Sequence, residues 1–120
     1  MQASSMDNKV LFEVKDENKI GIITLNRPSA LNAADLEVTS AIRKEWLLWE
    51  QSGDVEMVIL RGSGERAFCS GGDVKAMAAA ISQDPETSLP QQALASEYLL
   101  LSQMASSKIY KIAVLDGCAL

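Results

Sequence analysis

Val55-Glu56-Met57-Val58-Ile59-Leu60 is a nearly continuous apolar run rich in branched side chains, a pattern that specifies a strand buried on both faces. Such a strand constrains everything around it, because other elements must cover it. The residues ahead of it offer them. Val10, Phe12 and Val14 alternate with Leu11, Glu13 and Lys15, residues 16–19 carry turn chemistry, and residues 20–25 are apolar again, which predicts a β-hairpin. Pro28 breaks the second strand, since it has no N–H for a ladder. From about Ala34 to Gln51, the residues Val38, Ile42, Trp46 and Trp49 recur at intervals of four, four and three, placing them on one helical face, and Gly53 follows as a C-cap.

Beyond the apolar run, Asp73 is placed to open a short Ala-rich helix over residues 74–81, and residues 84–90 read as a surface linker. A further helix is expected from about Gln92 to Ser106, with Leu94, Tyr98, Leu101 and Ala105 on one stripe. Residues 112–115 predict another buried strand, running into Asp116-Gly117. Strands and helices therefore interleave in an α/β pattern. A buried strand at the end of the chain needs a following element to complete its layer, so the sequence is expected to be a truncated domain spanning residues 10–120, preceded by a frayed tail over residues 1–9. That tail carries an Asp and no Arg, unlike a transit peptide.

Composition narrows the function. Sixteen acidic against eleven basic residues give a net charge of −5, which leaves no electrostatic footprint for nucleic acid. The chain has no histidine, excluding His-dependent triads, His general bases and His-containing zinc sites, and no metal site is expected. No stretch approaches the roughly 20 apolar residues of a membrane-spanning helix. The two cysteines, Cys69 and Cys118, read as reduced thiols of an intracellular protein.

Two glycine motifs stand out. Gly62-Ser63-Gly64-Glu65-Arg66-Ala67 formally fits a dinucleotide fingerprint, but residues 67–69 look extended where that site requires a helix, so a plain turn is expected. In Phe68-Cys69-Ser70-Gly71-Gly72-Asp73-Val74-Lys75, two glycines stand at a loop-to-helix junction. There the backbone is open to a ligand, and the amides of the first helical turn point outward. Such amides suit an oxyanion, and the pair serves equally well as a tight turn. Cys69 fits a small apolar filler better than a nucleophile, since no base is placed by sequence to lower its pKa.

Taken in order, Asn26-Arg27-Pro28-Ser29-Ala30-Leu31-Asn32-Ala33, the strand ending in Arg61-Gly62, the segment 66–75 and Ile112-Ala113-Val114-Leu115-Asp116-Gly117 resemble the landmarks of the crotonase (enoyl-CoA hydratase/isomerase) superfamily. Within it, the Phe-Cys-x-Gly-Gly-Asp form, the long connection after the following helix and Ser96-Glu97-Tyr98 are most similar to the 3-hydroxyisobutyryl-CoA hydrolases. The resemblance implies a crotonase-like spiral of ββα turns, of which this chain would be the N-terminal part. It also implies an acyl-CoA substrate whose thioester carbonyl sits between two backbone N–H groups. By position Gly72 is the first of these donors, and Gly71, Gly72, Asp73, Val74 and Lys75 match the CoA-contacting segment, with Lys75 near the nucleotide. Glu97 matches an acidic residue near the substrate. Each has a plainer alternative: Asp73 as an N-cap, Lys75 as an exposed helix charge, Glu97 as a solvated residue. The family's second donor comes from a Gly-rich turn beyond Asp-Gly, where this sequence stops, and Ile109-Tyr110 stands in place of the usual Lys-Pro. The implied activity is thioester hydrolysis in valine breakdown, with hydratase or isomerase chemistry as the alternative. A non-catalytic CoA-binding or subunit-association product is an alternative of another class. No cofactor is implied beyond the coenzyme A of the substrate, a homo-oligomer is implied for the full-length protein, and mitochondrial and peroxisomal locations both suit the family.

Overall fold

A computed structural model describes residues 8–15, 17 and 19–119. Residues 1–7 of the expected tail lie outside the described residues. Asn8 and Lys9, which the sequence places in that tail, are held instead: the Asn26 N–H donates to Lys9 O at 2.8 Å, and the Asn26 side chain donates to Asn8 O at 3.0 Å.

The hairpin forms as the alternation predicts, with β1 (Val10–Lys15) antiparallel to β2 (Ile20–Leu25) and Val10 opposite Leu25. A 3-10 turn over Pro28–Ala30 and an irregular loop lead into α1 (Leu36–Ser52). The Asp35 side chain caps α1 by accepting the Val38 N–H at 2.9 Å, and Gly53 ends it in the left-handed region at φ 73°. β3 (Met57–Gly62) then runs parallel to β2, and β5 (Tyr110–Ala113) parallel to β3, giving the order β1-β2-β3-β5. Between them lie β4 (Ala67–Cys69), α2 (Val74–Gln83) and α3 (Leu89–Ser106). β6 (Cys118–Ala119) pairs parallel with β4. Strand, strand and helix thus repeat as β1-β2-α1 and β3-β4-α2, and β5-β6 opens a third unit. Successive units stack in parallel, β2 on β3 on β5 and β4 on β6, with β1 closing the edge antiparallel to β2, which is the winding of a ββα spiral.

The predicted face of α1 is the core. Val38, Ile42, Trp46 and Trp49 are buried against Val10, Ile23, Leu25 and Val58 of the sheet and Leu100 of α3. Trp49 meets Phe12 edge to face, with ring centroids 6.1 Å apart. Full burial of a side chain such as Ile23 or Val58 stabilises by roughly 1.5–3 kcal/mol.

Four expectations are corrected. Val58 is buried, but Met57, Ile59 and Leu60 are only half-buried, so β3 is covered more fully on one face than on the other. β5 is exposed rather than buried: Ile112 is 47% accessible, because this edge strand has β3 on one side and no pairing strand on the other among the described residues. On α3 the stripe of Leu94, Tyr98 and Leu101 faces outward, while Ser96 and Leu100 face the core. Ser96 is small enough to bring α3 close to α1, where the Thr39 hydroxyl donates to Ser96 Oγ at 2.8 Å. α3 also begins at Leu89, with Pro90 in its first turn where a missing N–H costs nothing, which shortens the linker.

Candidate functional site

The loop between β2 and α1 is fixed by two side chains. Asn32 is 1% accessible with φ 57°, a left-handed conformation that asparagine tolerates better than most residues. Its amide group donates to Ser63 O at 3.0 Å and Ala67 O at 2.9 Å, and its Oδ1 accepts the Arg27 N–H at 2.8 Å. Gly62 makes room for it, since a Cβ there would stand 2.6 Å from Asn32 Nδ2. Arg27 spreads its guanidinium across the N-termini of two helices. Nη2 lies 2.9 Å from Asp73 Oδ2, Nη1 donates to Ala33 O at 2.7 Å, and Asp35 Oδ2 is 3.8 Å away.

The loop from Cys69 to Asp73 is laced to this frame. Ser70 N–H donates to Leu31 O, Ala34 N–H to Gly71 O at 2.8 Å, and Asp73 N–H to Ala34 O at 3.0 Å. Gly71 takes φ 100°, which requires glycine. The C=O of Gly71 and the N–H of Gly72 belong to one planar trans peptide. With that C=O held by Ala34, the Gly72 N–H must point the opposite way. It donates to no group among the described residues. Asp73 caps α2 by accepting the Ala76 N–H at 3.0 Å. That bond lowers its pKa against the opposing effect of burial, with Arg27 lowering it further. The N-cap alternative for Asp73 is therefore realised.

Gly72 stands between two spaces. On one side Glu97 of α3 approaches it, the carboxylate Oε2 lying 3.5 Å from where a Gly72 Cβ would be. A pocket of about 30 Å³ opens there, lined by Ala34, Gly72, Met77, Ala93, Leu94 and Glu97 among others, enough for about one water. On the other side an open groove of about 560 Å³ runs past Ser29, Ala30, Leu31, Ser70, Val74 and Lys75, with Arg66 also on its wall. Of the sequence-derived candidates, the fold thus brings Gly71, Gly72, Asp73 and Glu97 together. Val74 and Lys75 are exposed along the groove instead. Cys69 is half-buried against the core, and its sulfur accepts the Gly71 N–H at 3.4 Å. Among the described residues no group of three His, Cys, Asp or Glu could hold a metal ion, and no helix is long and apolar enough to cross a membrane.

Arg27 and Asn32 carry the site's frame, yet sequence reasoning gave neither a role of its own. The signal available was weak: a charge and an amide in a Pro-containing loop, whose partners lie as far as 46 residues along the chain.

The sequence matches the enoyl-CoA hydratase/isomerase family over residues 20–120. It is 36% identical over 117 residues to the mitochondrial 3-hydroxyisobutyryl-CoA hydrolase of Danio rerio, covering 98% of this chain and 30% of that protein. It is also 36% identical over 115 residues to the small ribosomal subunit protein mS47 of Schizosaccharomyces pombe, covering 96% of this chain and 26% of that protein. Among solved structures, a carnitinyl-CoA dehydratase from Mycobacterium thermoresistibile superimposes with a TM-score of 0.82 at 29% identity, over 92% of this chain and 32% of the other. The chain belongs to the enoyl-CoA hydratase/isomerase family and has the crotonase fold. It spans under a third of the length of these relatives, which include enzymes that process CoA thioesters.

Proposed function

We propose that this chain contributes the first oxyanion donor of an acyl-CoA thioester hydrolase acting on 3-hydroxyisobutyryl-CoA or a similar short branched 3-hydroxyacyl-CoA, as in valine breakdown. The observation that carries this is the Gly72 N–H, fixed in direction by its peptide plane and free of any partner among the described residues, on a residue whose Cβ position lies 3.5 Å from the Glu97 carboxylate. Attack on a thioester builds negative charge on the carbonyl oxygen, and an amide already aimed at that oxygen stabilises the charge without reorganising. Glu97 lies near the acyl side of the carbonyl. The groove would carry the CoA, with Lys75 and Arg66 as cations for its phosphates, Gly72, Asp73 and Val74 forming its wall, and Gly71 holding the turn behind them. No cofactor is needed beyond the CoA of the substrate, and a mitochondrial location follows the hydrolase relatives. The test is release of the CoA thiol from 3-hydroxyisobutyryl-CoA, set against hydration of a short enoyl-CoA. Hydrolysis supports the proposal, and hydration alone supports the chemistry named for the carnitinyl-CoA dehydratase. The mS47 relative favours a second reading, a chain that associates with partners without turnover. Specific CoA binding with neither reaction would support it.

A further inference from the structure

Arg27 stands at the head of a continuous hydrogen-bonded line that ends at the proposed oxyanion donor. Its Nη1 donates to Ala33 O at 2.7 Å. That carbonyl shares a planar peptide with the Ala34 N–H, which donates to Gly71 O at 2.8 Å, and the Gly71 carbonyl shares the next peptide with the Gly72 N–H. Two peptide dipoles are thus aligned head to tail, with a guanidinium at one end and the substrate-facing N–H at the other. Hydrogen bonds in such a line polarise one another, and a charged donor at the head strengthens the bonds behind it. Arg27 is itself fixed by Asp73 at 2.9 Å and is only 19% accessible, so water screens it little.

We propose that Arg27 is a positioning residue for the reaction, which aims and polarises the Gly72 amide through the Ala33–Ala34 and Gly71–Gly72 peptides. This rests on Gly72 as the donor. The charge never touches the substrate. Its effect is confined to the strength and direction of one N–H, so it alters the state in which charge develops more than it alters CoA binding.

The experiment uses the protein as it occurs naturally, with Arg27→Gln, and with the double variant Arg27→Met/Asp73→Asn. The double variant removes the cation together with its paired carboxylate, while asparagine still caps α2. The readouts are kcat and KM for 3-hydroxyisobutyryl-CoA, the melting temperature, and the infrared C=O stretch of bound carbonyl-labelled isobutyryl-CoA, whose red shift reports polarisation by the donor. We expect kcat to fall about tenfold, less than the 10²–10³-fold of losing a donor outright, with KM little changed and the red shift reduced. A folded variant that keeps both kcat and the red shift would overturn the proposal. If Gly72→Pro also retains full kcat and the same red shift, the donor assignment itself fails. If Gly72→Pro loses both while the Arg27 variants keep them, only the role of Arg27 fails.

Discussion

Replacing Asn32 should destabilise the fold more than any other single change in the β2–α1 loop. Asn32→Ala removes three hydrogen bonds that join this loop to residues 63 and 67 and to the Arg27 amide. Each is worth about 1 kcal/mol net, and the two carbonyls and one N–H left behind are largely shut off from water. Alanine at φ 57° adds about 1 kcal/mol of backbone strain. The total is about 4 kcal/mol, a large fraction of a domain's stability. Asn32→Gly loses the same bonds without the strain, so glycine should be the more stable variant by about 1 kcal/mol, reversing its usual deficit against alanine. Urea unfolding followed by fluorescence of the buried Trp46 and Trp49 measures both, provided the denaturant dependence is unchanged. An alanine variant within about 1 kcal/mol of the parent, or one more stable than the glycine variant, would refute the role given to Asn32.

Two further outcomes follow from the packing and the charges. Gly21→Ala should cost about 1–3 kcal/mol by overpacking, because its Cβ would lie 2.7 Å from the Trp49 ring; an unchanged melting temperature would show that the ring yields freely. Asp73 is held below the ordinary carboxylate pKa by the Ala76 N–H and Arg27. Asp35 is held low as well, burial opposing its charge while Lys9 and the Val38 N–H outweigh that effect. Both folded pKa values lie below the unfolded value of about 3.9, so their contribution is complete above that pH and is lost as pH falls through the folded values. Melting temperature should therefore drop below about pH 4, and Asp73→Asn should flatten part of that fall; an acid limb unchanged in the variant would exclude Asp73 as a contributor.

What was legible in the sequence was what local chemistry decides. The α1 face, its Gly53 cap, the hairpin and the Asp73 cap each depend on residues within a few positions of one another. The choice of face on α3 does not. Leu94, Leu99, Leu100 and Leu101 are distributed around much of that helix, and the small Ser96 meeting Thr39 decides which side turns inward. The burial of β5 was misjudged for a related reason: an apolar run states that a strand has faces to cover, not which elements cover them. In the site, Gly71 and Gly72 announce an open backbone, but the direction of the Gly72 amide depends on Ala34. That residue is far away in sequence and meets the loop only because successive ββα units stack in parallel.

The donor role of Gly72 is tested most directly by comparing Gly72→Pro with Gly72→Ala in 3-hydroxyisobutyryl-CoA hydrolysis, with CoA affinity and melting temperature measured alongside. The backbone of Gly72 lies outside the left-handed region, and an added Cβ would meet the Glu97 carboxylate at an ordinary 3.5 Å, so the protein itself accommodates alanine. Alanine keeps the N–H, and proline removes it. The expected result is a loss of kcat on the order of 10²–10³-fold for proline and a much smaller loss for alanine, with CoA affinity retained in both. A folded proline variant with parental CoA affinity and parental kcat would contradict the account and leave Gly71 and Gly72 as a tight turn.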